Sequence, residues 1–228
     1  MRRHLSRVLS HTLFVLLAAA PALAQGTARY EVSITNLTRG QVITPPVVVA
    51  HDAGFQLFTP GMPAREGLRP LAEDGMTAAL TAEIGSEPGV MAVAVGDGVI
   101  LPGQTLAVEV ETSSPWPQIS VVGMLASSND AFLGAAALPA PPPGIRGLGL
   151  STALARHTAI AYDAGTEANT ESCEEIPGPP CGSPGVRHEE GAEGFIAVHP
   201  GLHGGADLDP AALDWNNPVA LIRIRRLP

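Results

Sequence analysis

The pattern that most limits what this chain can become is a succession of short apolar segments with strand periodicity, each soon broken by glycine, proline or asparagine. Residues 30–36 alternate apolar and polar side chains, the two-residue period of a half-buried strand. Residues 42–50 read as a second strand interrupted by Pro45-Pro46, which suits an edge or a bulge. Residues 90–95 lead through a Gly96-Asp97-Gly98 hairpin turn to 99–101, and 104–112, 158–162, 194–198 and 219–227 continue the series. Residues 119–125 are apolar throughout, as a central strand would be. Helical spacing is confined to 64–72 and 76–84, separated by Gly75, with one further turn at 210–213. The proline-rich stretch 138–144 predicts an extended connection or rigid turn. The expected fold is an all-β antiparallel sandwich with a short helical excursion, in a single domain over residues 25–228.

The N-terminus has the composition of an export leader. Arg2, Arg3 and Arg7 precede an apolar stretch, 12–20, and Ala22-Leu23-Ala24 is a small-x-small cleavage site, so the signal peptide is expected to span 1–24. That stretch is too short to span a bilayer, which takes about 20 residues, and no transmembrane segment is expected. Without a lipobox cysteine, the leader predicts a periplasmic or secreted protein. Losing its three arginines takes the formal charge from −9 to −12. Such a balance disfavours nucleic acid and favours cations or basic partners. Cys173 and Cys181 lie in one proline- and glycine-rich loop, where an exported chain is expected to form a disulfide. Closing so short a loop stabilises by about 2–3 kcal/mol on the chain-entropy estimate.

Two acidic loops carry the leading chemistry. Ser127-Ser128-Asn129-Asp130-Ala131-Phe132-Leu133-Gly134 and Tyr162-Asp163-Ala164-Gly165-Thr166-Glu167 each follow a strand-like run, so both can meet at one end of a sheet. Asp130, Asp163 and Glu167 would offer hard oxygen ligands of the kind Ca²⁺ or Mg²⁺ takes. The spacing is not that of an EF-hand. Taken alone, Asp163 and Glu167 also fit a solvated turn, and Asp130 an Asx turn.

These segments also resemble a known family. Gly123-Met124-Leu125-Ala126-Ser127-Ser128-Asn129-Asp130-Ala131-Phe132-Leu133-Gly134 resembles the (I/L)-x-P-S-x-D-W-F-x-G stretch of the spondin N-terminal domain. Tyr162-Asp163-Ala164-Gly165-Thr166-Glu167 is similar to its Y/W-D-A-G-T-D motif, and Pro218-Val219-Ala220-Leu221-Ile222-Arg223-Ile224 to its closing P-x-A-x-(V/I) strand. The resemblance implies a C2-like β-sandwich and one calcium ion held by Asp130, Asp163 and Glu167. It also implies a non-enzymatic adhesion or recognition role towards an extracellular or envelope protein or glycan. The chain departs from the pattern at Ala131 (Trp in the family), Ala126 (Pro) and Glu167 (Asp).

The alternative is a zinc-dependent hydrolase built on His188, His199 and His203, with Glu189 or Glu193 nearby. Pro200 and Gly201 exclude a helical H-E-x-x-H site there. No G-x-S-x-G elbow follows Gly149-Leu150-Ser151. His51 beside Asp52 reads as a structural strand-end pair, and Trp116 as an apolar plug at the sandwich edge.

Overall fold

Side chains of Tyr30, Val32 and Ile34 are wholly buried while Glu31, Ser33 and Thr35 point outward, as the two-residue period requires. A computed structural model of the chain describes residues 27–113, 117–142 and 154–228. The expected leader, Trp116 and residues 149–151 lie outside them. In chain order the elements are β1 (Ala28–Asn36), β2 (Val47–His51), α1 (Leu68–Asp74), α2 (Ala78–Ile84), β3 (Val90–Val95), β4 (Thr105–Thr112), β5 (Gln118–Met124), β6 (Ala131–Pro139), β7 (Leu154–Asp163), β8 (Ala197–Val198), α3 (Pro210–Leu213) and β9 (Ala220–Arg226).

The strands run in the order β3-β2-β5-β6-β7-β9-β1-β4, every neighbouring pair antiparallel, with β8 added beside β7. The corner is β7. Residues 154–159 pair with β9, while 160–163 pair with β6. The sheet therefore turns over on this strand and its halves face each other. Tyr30, Val32, Ile222 and Ile224 from one half meet Val48, Ile119, Val121 and Leu133 from the other in one apolar core. At the open seam β3 lies against β4. The all-β architecture expected from the strand series is what forms.

The helices explain why the middle strands read as uninterrupted apolar runs. Val47, Val49, Val122 and Phe132 point away from the inner core into a second one, shared with Leu68, Leu71, Leu80 and Ile84 of the helices and with Phe58. Strands buried on both faces lose the polar half of their alternation. Burying each such side chain is worth about 1.5–3 kcal/mol. The two helices separate at Gly75, whose φ of 71° lets its N–H reach the Leu71 carbonyl.

Three expectations are corrected. β2 begins only after Pro45-Pro46 and lies between β3 and β5, so it is an interior strand and its bulge falls at Ala50/His51. The prolines are accommodated because they precede the ladder. Residues 99–101 form no hairpin arm with β3; Ile100 makes an isolated bridge to Ile43. β6 takes in residues 131–134, expected to belong to the first acidic loop, and reaches Pro139, inside the stretch 138–144 expected to be an extended connection or turn. Gly134 and three consecutive alanines are weak strand formers, and β6 is held by partners on both sides. Gly134 is required there, since a Cβ would stand 2.6 Å from the Tyr162 ring and 2.7 Å from Phe58.

Opposite Ser120, β6 bulges, with Ala137 at φ 54°. The Ser120 hydroxyl accepts the Ala137 N–H (3.0 Å) and donates to His51 Nε2 (2.8 Å), while His51 Nδ1 donates to the Asp52 carbonyl (2.7 Å). The partner of His51 is thus Ser120 together with the Asp52 backbone. Both side chains are sealed inside the sheet, and burial lowers the histidine pKa. Ser120→Ala leaves His51 Nε2 and the Ala137 N–H without partners. The expected loss is about 1–3 kcal/mol, measured by urea unfolding; an unchanged midpoint would refute a structural role for this pair.

Candidate functional site

The first acidic loop is the tight link between β5 and β6. The Leu125 N–H donates to the Ala131 carbonyl (2.8 Å), and the Ser128 hydroxyl donates to the Leu125 carbonyl (2.6 Å) while accepting the Ala131 N–H (3.1 Å). That closure sets Asp130 immediately before β6. Asp163 ends β7, directly opposite Ala131 in the ladder, and the Ala164 N–H reaches the Asp130 carbonyl (3.3 Å). The two loops therefore share one end of the sheet, as their sequence positions predict.

Asp130, Asp163 and Glu167 are all buried, at 0%, 2% and 1% exposure. Asp130 Oδ2 crosses between the loops and accepts from the Thr166 N–H (2.7 Å), the Thr166 hydroxyl (3.2 Å) and the Glu167 N–H (3.1 Å). Asp163 closes an Asx turn through Oδ1 and the Gly165 N–H (2.7 Å), and its Oδ2 accepts from Asn169 Nδ2 (2.6 Å). Glu167 Oε1 accepts from the His188 N–H (3.1 Å). Two oxygens in this set are buried without a partner, Asp130 Oδ1 and Glu167 Oε2.

Charge on these groups is unfavourable as they stand. Burial, followed by the neighbouring Asp163, pushes Asp130 up to about 7. Burial also raises Asp163. Glu167 rises to about 8, through burial first and then through Glu73, Asp130 and Asp74, against the opposing His188 N–H bond. The donor chemistry and the two partnerless oxygens fit a hard cation. Among the described residues, no group of three or more His, Cys, Asp or Glu side chains is arranged to hold a metal ion. Asp163 carries one donor on each oxygen, and each of those oxygens has a second lone pair.

Several supporting residues were not foreseen. Asn169 links Asp163 to His199, since its Oδ1 lies 3.0 Å from His199 Nε2. The sequence signal for it is an amide two residues past Glu167. The disulfide Cys173–Cys181 forms as expected, and its loop covers the first acidic loop. Gly178 packs so close to the Ala126 carbonyl that no Cβ fits, the Ser127 hydroxyl donates to the Pro179 carbonyl, and Ile176 is buried in the inner core. Arg187 joins the second loop to α1 by donating Nη2 to the Thr166 carbonyl (3.1 Å) and Nε to Glu73 (2.9 Å).

The three histidines do not converge. His199 is buried against Trp215, accepts the Gly201 N–H at Nδ1 (3.0 Å), and so donates from Nε2 to Asn169. Burial lowers it to about 4. His188 pairs with Glu175 (3.1 Å), and the exposed His203 stands 3.9 Å from Glu171.

Comparison with models of known protein families finds no match, and comparison with curated proteins finds none. Among the described residues no helix is long and apolar enough to cross a membrane, which leaves strand-type insertion unaddressed.

A carboxyl whose folded pKa is raised contributes stability below its unfolded value, near 4, and loses that contribution as pH climbs through the folded value. In EDTA, Asp130→Asn is therefore expected to match wild type near pH 4. At pH 8 it should exceed wild type by about 1–4 kcal/mol, because an amide keeps one acceptor without the buried charge. Denaturant unfolding at the two pH values checks this; a variant less stable at pH 8 would overturn the reading of Asp130 as a strained carboxylate.

Proposed function

We propose that this is an exported recognition module, similar to the spondin N-terminal domain and without enzymatic activity. Its two acidic loops hold one divalent cation, with calcium the expected ion. The observation that carries the proposal is the pair of buried, partnerless oxygens, Asp130 Oδ1 and Glu167 Oε2, in loops that Asp130 already ties together. An ion taken there would relieve two unpaired buried groups and let all three carboxylates ionise at neutral pH. Asp130 and Glu167 would be its side-chain ligands, with Asp163 supplying its free lone pairs. In this reading the ion fixes the shape of the loops, and adhesion or recognition is performed by their outer surface. Export is supported by the leader-like N-terminus and is compatible with the disulfide.

The zinc-hydrolase alternative draws less support. His199 has both ring nitrogens engaged, and His188 and His203 each face a different glutamate.

The test is thermal unfolding in EDTA and after addition of Ca²⁺, Mg²⁺ or Zn²⁺, for wild type and Asp130→Asn. At about 100 times its Kd, Ca²⁺ should add about 2.7 kcal/mol, a rise in Tm of roughly 5–10 °C for a chain of this size. The variant should lose that rise. For wild type it should grow from pH 6 to pH 8, because the ion must displace protons. No shift with any ion, or a zinc shift that Asp130→Asn retains, would remove the carboxylate site.

A further inference from the structure

Residues 164–196, which connect β7 to β8, form no helix or strand. Their shape rests on individual bonds and on one covalent link, Cys173–Cys181. Two stretches of this connection grip the first acidic loop from outside. At one, the Glu171 N–H donates to Asn129 Oδ1 (3.2 Å) and Asn129 Nδ2 donates to Thr170 Oγ1 (3.1 Å). At the other, the Ser127 hydroxyl donates to the Pro179 carbonyl, and Gly178 lies against the Ala126 backbone. Ala126, Ser127 and Asn129, just ahead of Asp130, are therefore held by residues 170–179.

The disulfide joins these two arms. Within the first, the Glu175 N–H donates to the Ser172 carbonyl (3.0 Å) and the Thr170 hydroxyl to the Glu175 carboxylate. Within the second, the Cys181 N–H donates to the Gly178 carbonyl (3.0 Å), and the Gly182 and Ser183 N–H groups to the Ile176 carbonyl (3.2 and 2.9 Å). Among the described residues no hydrogen bond joins 170–175 to 176–183, so the S–S bond alone ties arm to arm across the ring. The first arm also reaches the second acidic loop. Glu175 pairs with His188 Nδ1 (3.1 Å), and the His188 N–H donates to Glu167 Oε1 (3.1 Å). The ring is thus connected to the surroundings of both carboxylates that keep a partnerless oxygen.

We infer that the Cys173–Cys181 ring is a redox latch on the carboxylate site. Closed, it holds Asp130 and Glu167 in place for a cation; opened by a dithiol reductant, it lowers cation affinity. Carboxylates that repel one another converge on an ion more readily when their supports are fixed beforehand. A reductant has access, since both cysteines are half-buried and Glu174, Pro179, Pro180 and Gly182 around them are exposed. In the exchange a thiolate attacks one sulfur, the S–S bond breaks, and a mixed disulfide forms that the second thiol resolves. Two electrons and two protons pass to Cys173 and Cys181, and the reductant leaves as its own disulfide. The ladders joining β5, β6 and β7 do not involve the ring, so the sheet persists while the loops loosen. The inference rests on the cation reading and names how that site is regulated.

Isothermal titration with Ca²⁺ tests it on the oxidised protein, the protein reduced with dithiothreitol, and the reoxidised protein, with far-UV circular dichroism reporting the sheet. Reduction is expected to weaken Ca²⁺ binding by about tenfold or more, and reoxidation to restore it. In EDTA, the Thr166 and Glu167 amide protons, which bond to Asp130, should exchange faster after reduction. That readout needs no ion. Asn129→Ala, which frees the first arm, should weaken binding by the oxidised protein and add little once the ring is open. If reduction abolishes the sheet signal, oxidised Ser127→Ala and Asn129→Ala carry the test, each expected to bind Ca²⁺ about tenfold more weakly with the sheet intact. Equal Ca²⁺ affinity before and after reduction, or unchanged amide exchange, overturns the latch and leaves the cation site standing. Absence of Ca²⁺ binding in every state removes the cation site and the latch with it.

Discussion

The arrangement of this end of the molecule depends on one carboxylate. Asp130 belongs to the link between β5 and β6, yet three of the donors it satisfies belong to Thr166 and Glu167, beyond the end of β7. A charged acceptor taking several donors in a buried site is a strong tie, but desolvation opposes the same charge. The balance is visible in a carboxyl displaced to about 7 despite those three bonds. Every other feature of the site follows from where that tie places the second loop: Glu167 beside Glu73 and Asp74, Thr166 beneath Arg187, Gly165 against the Phe195 backbone.

The fold was legible wherever one principle governed a segment. Periodicity in 30–36 and 104–112 answers to a single buried face, and β1 and β4 formed as read. The continuous run 119–125 marked an interior strand because helices cover its second face. Where the partner decides, the sequence was silent. β6 is poor in strand formers and rich in alanine, and it exists because β5 and β7 offer it open edges. The same holds for 99–101, which looked like a hairpin arm but had its local partner taken by β2.

The acidic loops were legible as a pair because each carboxylate sits at a strand end, and antiparallel neighbours bring such ends together. What the sequence concealed was their mode of contact. Asp163 is engaged by an Asx turn and by Asn169, so the oxygens left over belong to Asp130 and Glu167. The contributions of Arg187 and the His188 N–H come from a loop some twenty residues downstream, with no periodicity to place it. His199 packs on Trp215 and bonds to Asn169, which in turn holds Asp163, a connection that a glycine-rich stretch does not announce.

One short peptide, Gly165–Thr166–Glu167, faces two environments of opposite demand. Inward it lies against carboxylates whose charge burial opposes, which a cation would relieve; outward its Thr166 carbonyl accepts from Arg187, whose other nitrogens are bound to Glu73 and Glu189. Arg187 continues the connection outward, since its Nη2 holds the Thr166 carbonyl while its Nε holds Glu73 of α1. The peptide therefore joins three parts of the fold: the β5–β6 link through Asp130, its own loop after β7, and α1 through Arg187. In the proposed reading an ion held by Asp130 and Glu167 would bind residues at both ends of the same tie, so its stabilising effect would be concentrated at this junction.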